Sequence, residues 1–301
     1  VILYTDHEPF VCDVLRARVA DGGLLPGDVW ERDVRTLTAD ELKPYTQVHL
    51  FCGIGASPLG LKWAGWPAGL SVVTAGFPCT DISVAGKGAG ISGKDSALYI
   101  EALRVVDALR PCYAIMENSP ALLGRGLGDV LGNLAAIGYD AEWTCFPASA
   151  VGSPQSRDRI WIVAYPAGEH GQSRDLLEAC EVGGASAQPR RLAGLSALAE
   201  RQRSDFGWAG EPDVDRVADG LSGWVDRLHA LGNAQVPQVV ELVARAILSY
   251  EATASKRTLA PCEFCGYEFD HDSLGRFGCA NCNGEGLEAT ASERIGDGEA
   301  R

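Results

Sequence analysis

Short apolar runs alternate with amphipathic stretches through the first half of the chain. The runs "VILYTD", "QVHLF", "LSVVTAGF", "CYAIMEN" and "RIWIVAY" have strand length and are rich in β-branched and aromatic residues, which predicts strands buried on both faces. "GDVWERDV" and "DAEWTCF" also read as strands. Between these runs, "PFVCDVLRARVA", "PLGLKWAG", "SALYIEALRVVDALR" and "GDVLGNLAAIG" predict helices, the third placing Leu98, Leu103, Val106 and Leu109 at helical spacing. Thr38 in "TADELKPY" marks a capped helix start. Strands and helices in alternation predict an α/β fold with a doubly wound, mostly parallel sheet. The pattern breaks after Pro166. Residues 167–226 are rich in Gly, Ser, Ala, Arg and acids with weak periodicity, which predicts an irregular or partly disordered insert. The helix "PQVVELVARAILSYEA" closes the globular unit. The organisation expected is a core over 1–165, an insert over 166–226, a helical segment returning to the core over 227–252, a cysteine-rich module over 258–285 and a flexible tail over 286–301.

Composition changes this picture little. A chain of 301 residues with 46% hydrophobic residues buries a substantial core. No apolar stretch reaches the ~20 residues of a membrane span, and "VILYTDHEPF" has neither a basic region nor a cleavage site, so a cytoplasmic monomer without membrane contact is expected. Because Val1 opens directly on a strand-like run, a few native residues, the initiator methionine among them, are expected to precede it. Six of the ten cysteines are scattered singly (Cys12, Cys52, Cys79, Cys112, Cys145, Cys180), a pattern of reduced thiols rather than a disulfide scaffold. The formal charge of −14 counts against nucleic acid as a partner, yet a basic cleft can exist on an acidic protein, and residues 283–301 alone carry a net −3.

The candidate chemistry lies in the loops that follow the strands. Cys79 comes directly after a proline in "AGFPCTDISVAGKG", a glycine-rich loop at a strand's carboxyl end, where open α/β sheets hold ligands. A strand cysteine is often only a small buried hydrophobe, but this one is presented by a loop. "FCGIGA" (Phe51 to Ala56, with Gly53, Ile54 and Gly55) lies between a strand and a helix. Its glycines suit either a cofactor at a helix N-terminus or simply a tight turn. Asp6 and Asp33 each follow a strand and read as ligands of ribose and adenine or as helix caps. Glu117 in "MENSP" is a candidate for holding a proton beside a nucleophile, or an exposed turn residue. Arg157 and Arg159 in "QSRDR", two apart before a strand, are expected on one face, bound to phosphate or a base edge or else to a carboxylate.

Together, "GFPCTDIS", "ENSP", "QSRDR", "LFCGIGA" and the late "LGNAQVPQ" (Leu231 to Gln238) resemble, over roughly residues 1–250, the motifs of DNA cytosine-5 methyltransferases of phage or restriction-modification type. The resemblance implies an S-adenosylmethionine-dependent methyltransferase fold with a small target-recognition region and double-stranded DNA as partner. It implies S-adenosylmethionine as cosubstrate, bound by Phe51, Gly53, Ile54, Gly55, Asp6 with His7, Asp33 with Val34, Pro78, Asn233 and Ala234. Cys79 would be the nucleophile, Glu117 would bind the ring nitrogen of cytosine, and Arg157 and Arg159 would steady the flipped base. The order departs from the family's: the segments carrying Asp6 and Asp33 precede the glycine loop, as if strands two and three came first and strand one fed directly into the catalytic strand. Single positions differ too, with His49 where aspartate is common, Ala56 for glycine, Thr80 for glutamine and Ser119 for valine. An RNA cytosine methyltransferase acting on tRNA shares this motif set, and a catalytically silent DNA-binding module is the rival from another class. A pyrimidine-nucleotide synthase shares only the Pro-Cys.

At the end of the chain, Cys262 and Cys265, then Cys279 and Cys282, form two CxxC pairs separated by thirteen residues. This spacing predicts a zinc ribbon with a structural Zn held by four thiolates. A redox pair is the alternative.

Overall fold

The computed structural model describes residues 1–78, 98–167, 192, 195, 198–199, 224–257, 259–261 and 268–270. The chain divides into two compact units, Val1–Ala246 and Ile247–Arg301.

Seven strands form one sheet in the first unit: β1 (Ile2–Asp6), β2 (Asp28–Glu31), β3 (Gln47–Leu50), β4 (Val72–Gly76), β5 (Tyr113–Asn118), β6 (Tyr139–Pro147) and β7 (Asp158–Pro166), in the order β2-β1-β3-β4-β5-β7-β6. The first five run parallel, while β7 is antiparallel to both β5 and β6. Helices α1 (Pro9–Ala20), α2 (Ala39–Leu42), α3 (Ala56–Ala64), α4 (Tyr99–Leu109), α5 (Leu122–Arg125) and α6 (Leu127–Ala136) connect them.

Side chains alternate across a strand, so the two faces of the sheet bury separate layers. Leu3, Val48, Leu50, Val73 and Met116 join Leu103 and Val106 of α4 in one layer. Ile2 and Tyr4 join Val11 and Leu15 of α1 and Leu59 of α3 in the other. These two layers are the expected double winding. His49 belongs to this interior: it is fully buried, stacked on Tyr4 at 5.5 Å, with Nδ1 2.8 Å from Thr74 Oγ1. Burial pushes its pKa down to about 3, so the imidazole is neutral.

The expected cap at Thr38 forms a full capping box with Glu41, although α2 is a single turn. Three features differ from expectation. Helix α5 interrupts the approach to α6. The closing segment is two helices, α7 (Trp224–Asn233) and α8 (Pro237–Arg257), rather than one. Within the stretch expected to be irregular, Leu192, Leu195 and Ala199 are buried, and the Leu192 amide donates to Glu142 Oε2 at 3.3 Å. The Leu195 amide donates to the Leu192 carbonyl at 3.2 Å. Among the described residues no helix is long and apolar enough to cross a membrane.

Where α3 meets the start of α8, a Cβ on Gly60 would lie 2.5 Å from Val240 Cβ and 2.6 Å from the Pro237 carbonyl. Only a hydrogen fits there, and this close approach brings the "GNAQVP" segment beside the glycine loop. In the second unit, β8 (Leu259–Pro261) pairs antiparallel with β9 (Glu268–Asp270). Cys262, Cys265, Cys279 and Cys282 lie outside the described residues.

Candidate active site

The site forms at the carboxyl edge of β1, β3, β4 and β5. The glycine loop leaves β3 with Phe51, Gly53 and Gly55 all at positive φ (50°, 53° and 86°). For Phe51 this conformation is costly and persists only because its surroundings fix it. At Gly55 the left-handed backbone and two leucines, Leu24 and Leu15, about 3 Å from where a Cβ would lie exclude any side chain.

Asp6, at the end of β1, organises this loop. Its Oδ1 accepts from the amides of His7 and Glu8 at 2.8 and 3.1 Å, and its Oδ2 accepts from the Gly53 amide at 2.9 Å. Asp6 thus ties the approach to α1 to the glycine loop, but it is not a helix cap: the residue before α1 is Glu8, with no side-chain cap bond. Asp33 caps the 3-10 turn Val34–Thr36 and pairs with Arg35. Hydrogen bonds from the Arg35 side chain and amide pull its pKa down to about 2. Arg104 of α4 fixes the same turn by donating to the Val34 and Leu37 carbonyls. Asp6, His7, Asp33, Val34, Phe51 and Pro78 line a cavity of about 220 Å³. A second cavity, of about 340 Å³, lies on the other side of the loop, where Ile54 and Ala56 face Ala234 and Gln235. Asn233 is not in its lining; its amide contacts His229.

Glu117 stands opposite Gly76 in the β4–β5 register. Its side chain is 10% exposed and its Oε1 accepts from Arg159 Nε at 2.9 Å. Burial raises its pKa above the ordinary carboxylate value, opposed by Arg159, Gln235 and Arg157. Asn118, the next residue, donates from Nδ2 to the Phe77 carbonyl at 3.1 Å. This bond ties the end of β5 to the entry of the segment containing Cys79. Cys79 itself lies in residues 79–97, outside the described residues, immediately after Pro78.

The two arginines are not equivalent. Strand β7 begins at Asp158, so Arg157 precedes it, at φ 29°. The period-2 argument for a shared face therefore does not apply to Arg157. Its Nη2 donates to the carbonyls of Gly232 and Ala234, clamping the "GNAQVP" segment, while Arg159 holds Glu117. Ser57, which carried no signal in the sequence, and Gln235, which lies in the late motif but was given no role there, also enter the site: Ser57 Oγ donates to Gln235 Oε1, and Gln235 Nε2 donates to Glu117 Oε2 at 3.3 Å.

Residues 65–181 match the family model for C-5 cytosine-specific DNA methylase, less than half of the chain but including Pro78, Cys79, Glu117, Arg157 and Arg159. The type II methyltransferase M.CviJI of Paramecium bursaria Chlorella virus IL3A is 33% identical over 100 residues, 33% of this chain and 27% of that protein. M.Sau3AI of Staphylococcus aureus is 34% identical over 104 residues, 31% of this chain and 25% of that protein. The aligned stretch thus spans about a quarter of these relatives' length. Among solved structures, the Entamoeba histolytica methyltransferase EhMeth aligns over 83% of this chain and 90% of its own, with 10% identity and a TM-score of 0.48.

Proposed function

We propose that this protein transfers a methyl group from S-adenosylmethionine to carbon 5 of cytosine in double-stranded DNA, as a modification methyltransferase acting through a covalent Cys79 adduct. The carrying observation is the buried Glu117–Arg159 pair at the end of β5, beside the strand that runs into Pro78 and Cys79 and on the same sheet edge as the glycine-loop cavity. The match of residues 65–181 to the methylase family model supports the same reading.

The residues of the first cavity suit S-adenosylmethionine: Asp6 and Asp33 offer carboxylates to ribose and adenine, Phe51 and Pro78 offer apolar walls, and the loop backbone approaches unobstructed at Gly53. When bound, the cosubstrate supplies an electrophilic methyl on a sulfonium. Carbon 5 of cytosine is a weak nucleophile, and the Cys79 thiolate changes that by adding to carbon 6, so the ring's electrons move toward carbon 5 and the ring nitrogen. Glu117 holds the proton that meets the charge arriving at that nitrogen. Carbon 5 then bonds to the methyl carbon as the methyl–sulfur bond breaks. Loss of the carbon 5 proton and expulsion of the thiolate restore the ring. The base must leave the duplex, which costs a few kcal/mol; Arg159, the Arg157 clamp and the 166–226 segment as target-recognition region are proposed to offset that cost.

The strand order supports the permuted reading. The glycine-loop strand β3 lies between β1, which carries Asp6, and β4, which leads to Cys79. A rearranged chain order thus leaves the site's parts adjacent. The family match begins at residue 65, after the segments whose order would differ.

Sequencing of 5-methylcytosine in DNA from cells expressing the protein tests this function. Methylation at one short recognition sequence is expected; unmodified DNA, or methyl transfer in vitro to tRNA alone, would overturn it. We further propose that Cys262, Cys265, Cys279 and Cys282 hold one structural zinc. Two of these cysteines fall in the six residues joining β8 to β9, and in a segment this short metal binding supplies folding energy. Elemental analysis should find one zinc per chain, and its removal should leave cofactor binding by residues 1–246 intact. A metal-free native protein would refute the ribbon.

A further inference from the structure

Glu117 is held by more than its arginine. Gln235, 118 residues away in sequence, reaches across the carboxyl edge and spans two functional elements with one amide: its Nε2 donates to Glu117 Oε2 and its Oε1 accepts from Ser57 Oγ. Ser57 is buried in the first turn of α3, directly after the glycine loop. The backbone is shaped to admit this amide. A Cβ on Gly76 would lie 2.9 Å from Gln235 Nε2, so a larger residue there would push it away, and the Arg157 clamp on the Gly232 and Ala234 carbonyls fixes the backbone on the near side of Gln235.

We propose that Gln235 is a positioning residue that couples the cofactor-side helix α3 to Glu117 and sets the proton affinity of that carboxyl group. The inference rests on Glu117 being the acid that meets the base. Among the described residues, the charged groups facing Glu117 are Arg159 on β7 and Arg157 just before it; β4 contributes Gly76, and α3 contributes Ser57 through Gln235. Both carboxylate oxygens are therefore taken by donors, Oε1 by Arg159 and Oε2 by Gln235, and donors to the carboxylate favour its ionised form. Withdrawing the Gln235 amide frees Oε2 and raises the affinity for the proton that the base requires. By linkage, anything bound at α3 that draws Ser57 and Gln235 away favours protonation of Glu117, and protonation weakens the hold on Gln235 in return.

The test is a carboxyl-carbon NMR titration of the full-length protein labelled at glutamate, with the Glu117 resonance assigned from Glu117→Gln. Gln235→Leu should raise the Glu117 midpoint by about one pH unit, a tenfold change in proton affinity. Ser57→Ala, which leaves the amide unanchored, should move it in the same direction by less. The alkaline limb of the pH profile for methyl transfer, where Glu117 loses its proton, should shift upward with the midpoint. A side chain that merely packs would lower the melting temperature and leave the titration unchanged, and an unchanged midpoint in both variants would overturn the proposal. Should Gln235→Leu fail to fold, Ser57→Ala decides alone. Since the titration needs no turnover, a wild-type protein that methylates no DNA would defeat the proposed function without deciding the coupling.

Discussion

Cys79→Ser is expected to lower methyl transfer to DNA by at least about 10³-fold while leaving S-adenosylmethionine affinity within a factor of two or so. The nucleophile's loss removes the step that makes carbon 5 reactive, and in enzymes with covalent intermediates such losses are among the largest single-residue effects. A hydroxyl is a far weaker nucleophile near neutral pH than a thiol with even a small thiolate fraction. Steady-state methylation of a duplex bearing the recognition sequence measures the first effect, and calorimetry of cofactor binding the second. The pairing matters because the cavity residues Asp6, Asp33 and Phe51 come from other strands. If both quantities collapse together, the variant has disturbed the fold and the assignment of Cys79 gains nothing.

Glu117→Gln should separate activity from stability. The amide keeps the shape but cannot hold the acidic proton, so turnover should fall by about 10²- to 10³-fold. Stability should respond differently. Burial raises the folded-state pKa of Glu117 above its ordinary value, with Arg159, Gln235 and Arg157 only partly opposing. A carboxyl shifted upward contributes stability that is fully present below its unfolded pKa and lost as pH rises through the folded pKa. Glutamine cannot ionise and so removes this dependence. The melting temperature of Glu117→Gln should therefore fall less than that of wild type as pH rises above the ordinary glutamate pKa of about 4. A variant that is both inactive and strongly destabilised at neutral pH would assign Glu117 to the scaffold.

The central strands of the sheet were legible because they bury both faces. Runs such as "CYAIMEN" are continuous apolar stretches, and β5 is buried along its whole length. Helix α7 was not legible, since it follows a stretch without periodicity and leaves Val225 and Leu231 largely exposed; exposed apolar residues carry no register. Asp6, Asp33, Glu117 and Pro78 stood out as candidates because each sits at or just after the end of a strand, where open α/β sheets hold ligands. The bond between Gln235 and Glu117 has no counterpart in any local pattern. It exists because α8 approaches α3 at Gly60 and β4 leaves room at Gly76, two long-range packing facts. Arg157 shows a different limit: its spacing from Arg159 suggested a shared face, but a positive φ before the strand sends it to the "GNAQVP" carbonyls instead. Nothing in an arginine's identity signals that backbone conformation.

The covalent adduct is the claim on which the proposed chemistry turns, and trapping measures it directly. The protein is incubated with S-adenosylmethionine and a duplex carrying 5-fluorocytosine at the methylated position, then denatured and analysed by mass. Fluorine at carbon 5 cannot leave as a proton does, so the enzyme should remain bonded through Cys79 to carbon 6 of a methylated base, giving a protein–DNA species that peptide mapping places at Cys79 and that Cys79→Ser lacks. A protein that methylates the unmodified duplex yet forms no such species, or forms it through another cysteine, would contradict the mechanism.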